Sequence, residues 1–161
     1  MTKGEKVALA VGSAVALIFG GWYYAIYYFG HQASMPTISE PQQSAQRMVT
    51  VGDTTIYVET AATEVARERG LSGRDSLAPN TGVLFVFDTD GEWGIWMKDM
   101  KFSIDILWLA EDGTVVTIAP NTSPDSYPQS FRPTAPAHYV LELPAGFAAA
   151  HSIGVGSKFV L

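Results

Sequence analysis

The side chains best able to do chemistry crowd into residues 95–109, IWMKDMKFSIDILWL. Trp96, Met97, Lys98 and Asp99 open this string, and Asp105 lies inside the apolar stretch formed with Ile104, Ile106 and Leu107. A carboxylate among aliphatic neighbours has two readings. Either it is a buried structural group, capping a turn or pairing with Lys98 or an arginine, or it forms the polar floor of a pocket. Asp99 and Asp105 together would suit general acid–base work, but their spacing in the chain fixes no distance. Trp93 and Trp96, three residues apart in a strand, point to opposite faces, so one belongs to the core and the other is free to form a wall. Arg67, Glu68, Arg69 and Arg74 gather near a short helix. They read as a solvated face, with an anion clamp as the alternative.

Other chemistries lack their residues. The chain has no cysteine, which excludes a disulfide framework, a thiolate zinc site and a cysteine nucleophile. Residues 88–92, DTDGE, have neither the glycine nor the distal glutamate of a calcium loop and read as a turn. His31, His138 and His151 are scattered, and no nucleophile elbow, dinucleotide fingerprint or phosphate loop occurs. No metal and no cofactor is expected.

The elements that must position these residues are unevenly composed. Of the 161 residues, 47% are hydrophobic and 16% charged, with a net charge of −6. Residues 7–30 form a 24-residue run without a charge, with an aromatic second half carrying Trp22, Tyr23, Tyr24, Tyr27, Tyr28 and Phe29. As a helix it spans about 36 Å, enough for a hydrocarbon core of about 30 Å, with the aromatics at one interface. Lys3 and Lys6 precede it and the next basic residue is Arg47, so the positive-inside rule puts the N-terminus in the cytoplasm and the rest outside. The run is longer than a cleavable signal's apolar region and HQASMP offers no A-x-A site, which favours an uncleaved anchor over a cleaved, exported form. Residues 1–30 then carry +1 and the remainder −7, from 8 basic and 15 acidic residues. An acidic exterior argues against nucleic-acid binding.

The expected organisation is a cytoplasmic N-terminus at 1–6, a transmembrane signal anchor at 7–30, a flexible linker at 31–47 and an extracytoplasmic β-rich domain at 48–161. Strands are expected at 48–51 and 54–60 around a Gly52-Asp53 turn, then at 83–87, 93–98, 104–110, 114–119, 139–143 and 158–161. A helix is expected at 62–70, capped by Thr63 and ended by Gly70, and a second at 144–150 opened by Pro144. Residues 120–136 hold five prolines and read as a long loop. The fold class is α+β, mostly β: a compact antiparallel barrel-like domain with two short helices, preceded by one transmembrane helix.

Four strings occur in order: Arg69-Gly70-Leu71-Ser72-Gly73-Arg74, residues 82–87 (GVLFVF), Trp96-Met97-Lys98-Asp99 with Asp105-Ile106-Leu107, and residues 139–146 (YVLELPAG). This set resembles the domain-of-unknown-function family 192, found in bacterial and archaeal exported or membrane proteins, over roughly residues 50–161. The resemblance implies a small β-rich fold and no established activity. Ser72, Asp99 and Met100 depart from the family pattern. Many members also carry cysteines in the loop equivalent to 120–136, where this chain has none. The leading functional reading is a membrane-anchored small-ligand-binding or accessory module, with a pocket of Trp96, Met97, Lys98, Asp105, Arg69 and Arg74. Its partners would be the lipid bilayer through 7–30 and a small ligand or envelope protein. The alternatives are an extracytoplasmic hydrolase or transferase using Asp105 or Asp99 as acid or base, and a structural envelope component.

Overall fold

The structure is a computed structural model that describes residues 46–161. The expected N-terminal residues, membrane helix and most of the linker lie outside the described residues. Strand β1 (Gln46–Val51) begins two residues before the expected position, and β2 (Thr54–Ala61) pairs back on it through the Gly52-Asp53 turn. Helix α1 (Glu64–Arg69) follows, then β3 (Thr81–Gly91), β4 (Ile95–Trp96), β5 (Ile104–Leu109) and β6 (Val115–Thr122). A 3-10 turn (Pro124–Ser126), β7 (Ser130–Phe131), β8 (Ala137–Pro144), α2 (Phe147–Ala150) and β9 (Phe159–Val160) complete the chain. No helix among the described residues is long and apolar enough to cross a membrane.

Seven strands form one curled sheet, a half-barrel in the order β6-β5-β8-β3-β2-β1-β9, and β4 with β7 forms a small second sheet. Every pairing in the large sheet is antiparallel except β2 with β3, which run parallel. Parallel neighbours need a crossover, and residues 62–80 with α1 supply it. The sequence reading anticipated the mostly β class and both helices but not this parallel pair.

Both faces of the central strands are buried, which is why β3 carries the apolar run 83–87 and β5 is apolar except for Asp105. In β5, Leu107 and Leu109 enter one core with Val49, Ile56, Leu84, Leu141 and Phe159. Ile104, Ile106 and Trp108 enter a second core with Val83, Phe85, Met97 and Val140. In β3, Leu84 serves the first core, and Val83 and Phe85 the second, as strand alternation requires. The second core is roofed by Leu71, Ile95, Met97 and Phe131, from the crossover and the small sheet.

Three segments differ from the expected ones. The strand expected at 93–98 contracts to Ile95–Trp96, because only two residues pair with β7 before Asp99 turns the chain with φ +56°. The proline-rich loop is ordered and contains the end of β6, the 3-10 turn and β7. Pro144 does not open α2; it ends β8 opposite Ile104, and the helix starts after Gly146.

The outer edges of the half-barrel are laced together at one point. Thr114 bridges Lys158, the Val115 N–H donates to the Ser157 carbonyl at 2.8 Å, and the Phe159 N–H donates to the Gly113 carbonyl at 2.9 Å. Outside this seam Lys158 Nζ meets Asp112 Oδ2 at 3.0 Å, and that hydrogen bond is the largest influence holding the Asp112 carboxyl down at about 2. Gly113 makes the approach possible. Its φ is +83°, and a Cβ there would sit 2.2 Å from the Phe159 carbonyl oxygen. Gly113→Ala is therefore expected to destabilise the domain by about 2 kcal/mol or more, from left-handed strain plus the displaced seam. Urea unfolding checks this, and a stability equal to wild type would show that the seam is not needed.

Candidate functional site

Helix α1 is fixed at both ends as its sequence requires. Thr63 Oγ1 accepts from the Ala66 N–H at 3.2 Å, and the Gly70 N–H, at φ +47°, donates to the Ala66 carbonyl at 3.0 Å. Arg67 clamps the helix to the sheet. Its Nη1 donates to the Ala62 carbonyl at 2.6 Å and the Val86 carbonyl at 2.9 Å, and its guanidinium lies 5.0 Å from the Phe87 ring centre. The segment after β3 is pinned by indole hydrogen bonds. Trp93 Nε1 donates to the Ala137 carbonyl at 2.9 Å, and Trp108 Nε1 to the Trp93 carbonyl at 2.8 Å. Trp93 stacks on Phe87 with ring centres 4.1 Å apart.

Between α1 and β4 lies an open groove of about 440 Å³, walled by Phe85, Phe87, Trp93 and Trp96. Its inner end adjoins a cavity of about 60 Å³, bounded by Gly70, Leu71, Phe85, Ile95, Met100 and Glu142; Phe85, Ile95 and Trp96 line both spaces. Glu142 is 5% exposed, and its Oε2 has no hydrogen-bond partner among the described residues. Desolvation pushes the Glu142 carboxyl from 4.5 up to about 8, against a smaller opposing pull from Arg74. Arg74 makes no hydrogen bond to it; its terminal nitrogens pair with Glu59 at 2.6 and 2.8 Å. Gly70 leaves room beside the carboxylate. A Cβ there would lie 3.0 Å from Phe85 Cζ and 3.6 Å from Glu142 Oε2.

The six residues expected to form one pocket are divided. Trp96 lines groove and cavity and is 51% exposed, and Arg69 lines the cavity. Lys98 is exposed, with Nζ 5.7 Å from the Trp96 ring centre. Met97 is core, and Arg74 acts through Glu59. Asp105 does not belong to this pocket. Strand alternation puts it on the face of Leu107 and Leu109, opposite Trp96 and Glu142. There its Oδ1 accepts the N–H groups of Asn121 at 2.8 Å and Gly146 at 3.0 Å, and its Oδ2 accepts Ala148 N–H at 2.9 Å. Asp105 is thus the structural group of the two alternatives: it fixes the start of α2 and the end of β6. Asp99 is an exposed turn residue whose carbonyl accepts the Gly73 N–H at 2.8 Å. Trp93 and Trp96, expected on opposite faces, both line the groove because the chain leaves strand geometry between them.

The sequence reading passed over Glu142. Its signal was the one used for Asp105, a carboxylate between aliphatic residues of a strand, Leu141 and Leu143. Among the described residues no group of three or more histidine or acidic side chains could hold a metal ion.

A model of a domain-of-unknown-function family, described as "Uncharacterized ACR", matches residues 47–161. A crystal structure of a protein of unknown function from Novosphingobium aromaticivorans is similar at TM-score 0.70 and 27% identity, over 76% of this chain and 90% of that one. A Sinorhizobium meliloti protein inferred to be a transcription regulator is similar at TM-score 0.67 and 32% identity, over 71% of this chain and 92% of that one. No curated protein matches the chain.

The two buried carboxylates respond oppositely to amidation. Asp105→Asn replaces an acceptor oxygen with a donor facing backbone N–H groups and is expected to cost about 2–3 kcal/mol at pH 7. For Glu142 the folded state holds the proton more tightly than the unfolded chain. Wild-type stability from this group is therefore full below about 4.5 and falls as pH rises toward about 8. Relative to wild type, Glu142→Gln should gain at least about 1.4 kcal/mol, the worth of one pKa unit, between pH 5 and pH 9. Urea unfolding at both pH values measures this; an unchanged difference would show a solvated or paired carboxyl.

Proposed function

This chain belongs to the domain-of-unknown-function family 192, and on that premise we propose that it is a membrane-tethered, extracytoplasmic module that binds a small ligand in the groove between α1 and β4. The observation that carries the reading is the buried Glu142 carboxyl, whose Oε2 has no hydrogen-bond partner among the described residues, in a small cavity that shares Phe85, Ile95 and Trp96 with the aromatic-walled groove. A volume of about 440 Å³ lies in the range of about 300–1,000 Å³ typical of small-molecule sites. Large rigid faces with a single buried polar group give area and orientation together.

Acid–base catalysis at Asp105 finds no support in its placement, since all three of its hydrogen bonds go to backbone N–H groups and it is fully buried. Asp99 faces solvent in a turn. The charge of −7 over residues 31–161 argues against nucleic-acid binding by this chain. The tether is residues 7–30, with Lys3 and Lys6 holding the N-terminus inside.

Two measurements test the proposal. A periplasm-dependent reporter fused after Leu161 should be active, and its cytoplasm-dependent counterpart silent; the reverse pattern would overturn the orientation. Fragment screening of the full-length chain by NMR should shift groove resonances, with Trp96→Ala weakening those hits at least tenfold. Hits confined to other surfaces would sink the groove as the site.

A further inference from the structure

We infer that the groove is built for a slender ligand bearing a primary ammonium head, with the head seated against Glu142 and the carbon chain lying along Phe85 and Trp96. This inference rests on the groove being a ligand site and names the chemistry it takes. A buried carboxyl with an unmet oxygen calls for a donor, and the basic side chains around it are committed elsewhere or exposed. Arg74 hydrogen-bonds Glu59, Arg67 holds two backbone carbonyls, and Arg69, although it lines the cavity, is exposed and makes no hydrogen bond to Glu142 Oε2.

Three further features select a cation over an anion. Across groove and cavity the carboxyl side chains are Glu64, Glu68, Asp88 and Glu142, against Arg67 and Arg69. The aromatic faces already attract cations from this chain, with Arg67 over Phe87 and Lys98 over Trp96. The inner cavity of about 60 Å³ admits a compact head with three N–H donors, while the wider groove accommodates a chain behind it.

The proton balance gives the inference a signature. Glu142 is faced by Arg74, itself paired with Glu59, and by Arg67, Glu68 and Arg69 from the α1 side, whereas its strand neighbours Val83 and Ile106 carry no charge. With its carboxyl pushed up to about 8, Glu142 holds a proton at neutral pH. When the ammonium arrives the carboxyl O–H breaks, the proton leaves to the buffer, and the carboxylate pairs with the unchanged ammonium. Binding then tightens about tenfold per pH unit up to about pH 8 and levels off until the amine itself deprotonates near pH 10.

The test titrates n-butylamine into the full-length chain from pH 6 to pH 9 and follows groove resonances by NMR, with n-butanol and butyrate as neutral and anionic probes. The expected result is preferential binding of the amine, with about a fiftyfold gain in affinity from pH 6 to pH 8. Glu142→Gln, checked for an unchanged fold by its resonance dispersion, should lose at least tenfold at pH 8 together with the pH dependence. Trp96→Ala, at an exposed position that the core does not need, should weaken the amine several-fold at every pH. Stronger binding of butyrate, or amine binding indifferent to Glu142→Gln, would overturn the ammonium assignment. If only butanol or butyrate binds in the groove, the ligand site stands and the inference falls; silence from all three probes removes both.

Discussion

The sheet of this domain is dry on both faces through β5, β8 and β3, and the rest of the structure answers to that constraint. A strand sealed on both sides offers water to neither face, so every polar side chain it carries must find a partner in the protein or persist at a cost. Asp105 and Glu142 meet this condition in opposite ways. They lie on adjoining strands, with Asp105 opposite Leu143 and Glu142 opposite Ile106, yet their side chains enter different cores. Asp105 collects three backbone N–H groups from two other segments. A four-residue helix has little stability of its own, so α2 depends on this carboxylate to define where it begins. Glu142 has an oxygen that no described residue satisfies, and the mismatch falls where the roof of the second core opens into a groove.

That groove follows from the one parallel pairing. Because β2 and β3 run the same way, the chain must cross over between them, and the crossover lays α1 and the Gly70–Arg74 turn along the second face. The turn docks on the segment after β4, where Ser72 Oγ donates to the Lys98 carbonyl at 2.8 Å and the Gly73 N–H donates to the Asp99 carbonyl at 2.8 Å. The Gly70–Arg74 turn and the segment around β4 therefore meet in space, and Gly70, Leu71, Ser72, Trp96 and Met100 line the inner cavity. Phe87 of β3 and Trp93, fixed by stacking and an indole hydrogen bond, wall the wider groove beside it.

Local physics made much of the domain legible. The Thr63 and Gly70 helix limits, the Gly52-Asp53 turn, the buried runs at 83–87 and 104–109 and the mostly β class all follow from capping, turn chemistry and periodicity, which act within a few residues. Asp105 was correctly recognised as anomalous, and its structural role was one of the two readings its neighbours allowed. Asp105 lines neither of the two spaces that Trp96 lines, and composition does not say which face of a strand another segment will cover. Glu142 carried the same signal in the stretch Leu141-Glu142-Leu143 and was passed over, since Tyr139–Leu143 read as an ordinary alternating strand.

The sequence by itself determined the division into an uncharged apolar run and an acidic remainder, the strand-rich composition, the turns and the presence of two carboxylates in apolar strands, because each depends on residue type and short-range spacing. Only the tertiary structure decided that β2 and β3 pair in parallel, that Asp105 accepts three distant backbone N–H groups and that Glu142 keeps an oxygen no described residue hydrogen-bonds, beside an aromatic groove. Those outcomes depend on which segments, tens of residues apart, come to cover each face of the sheet, and that is set by packing of the whole chain.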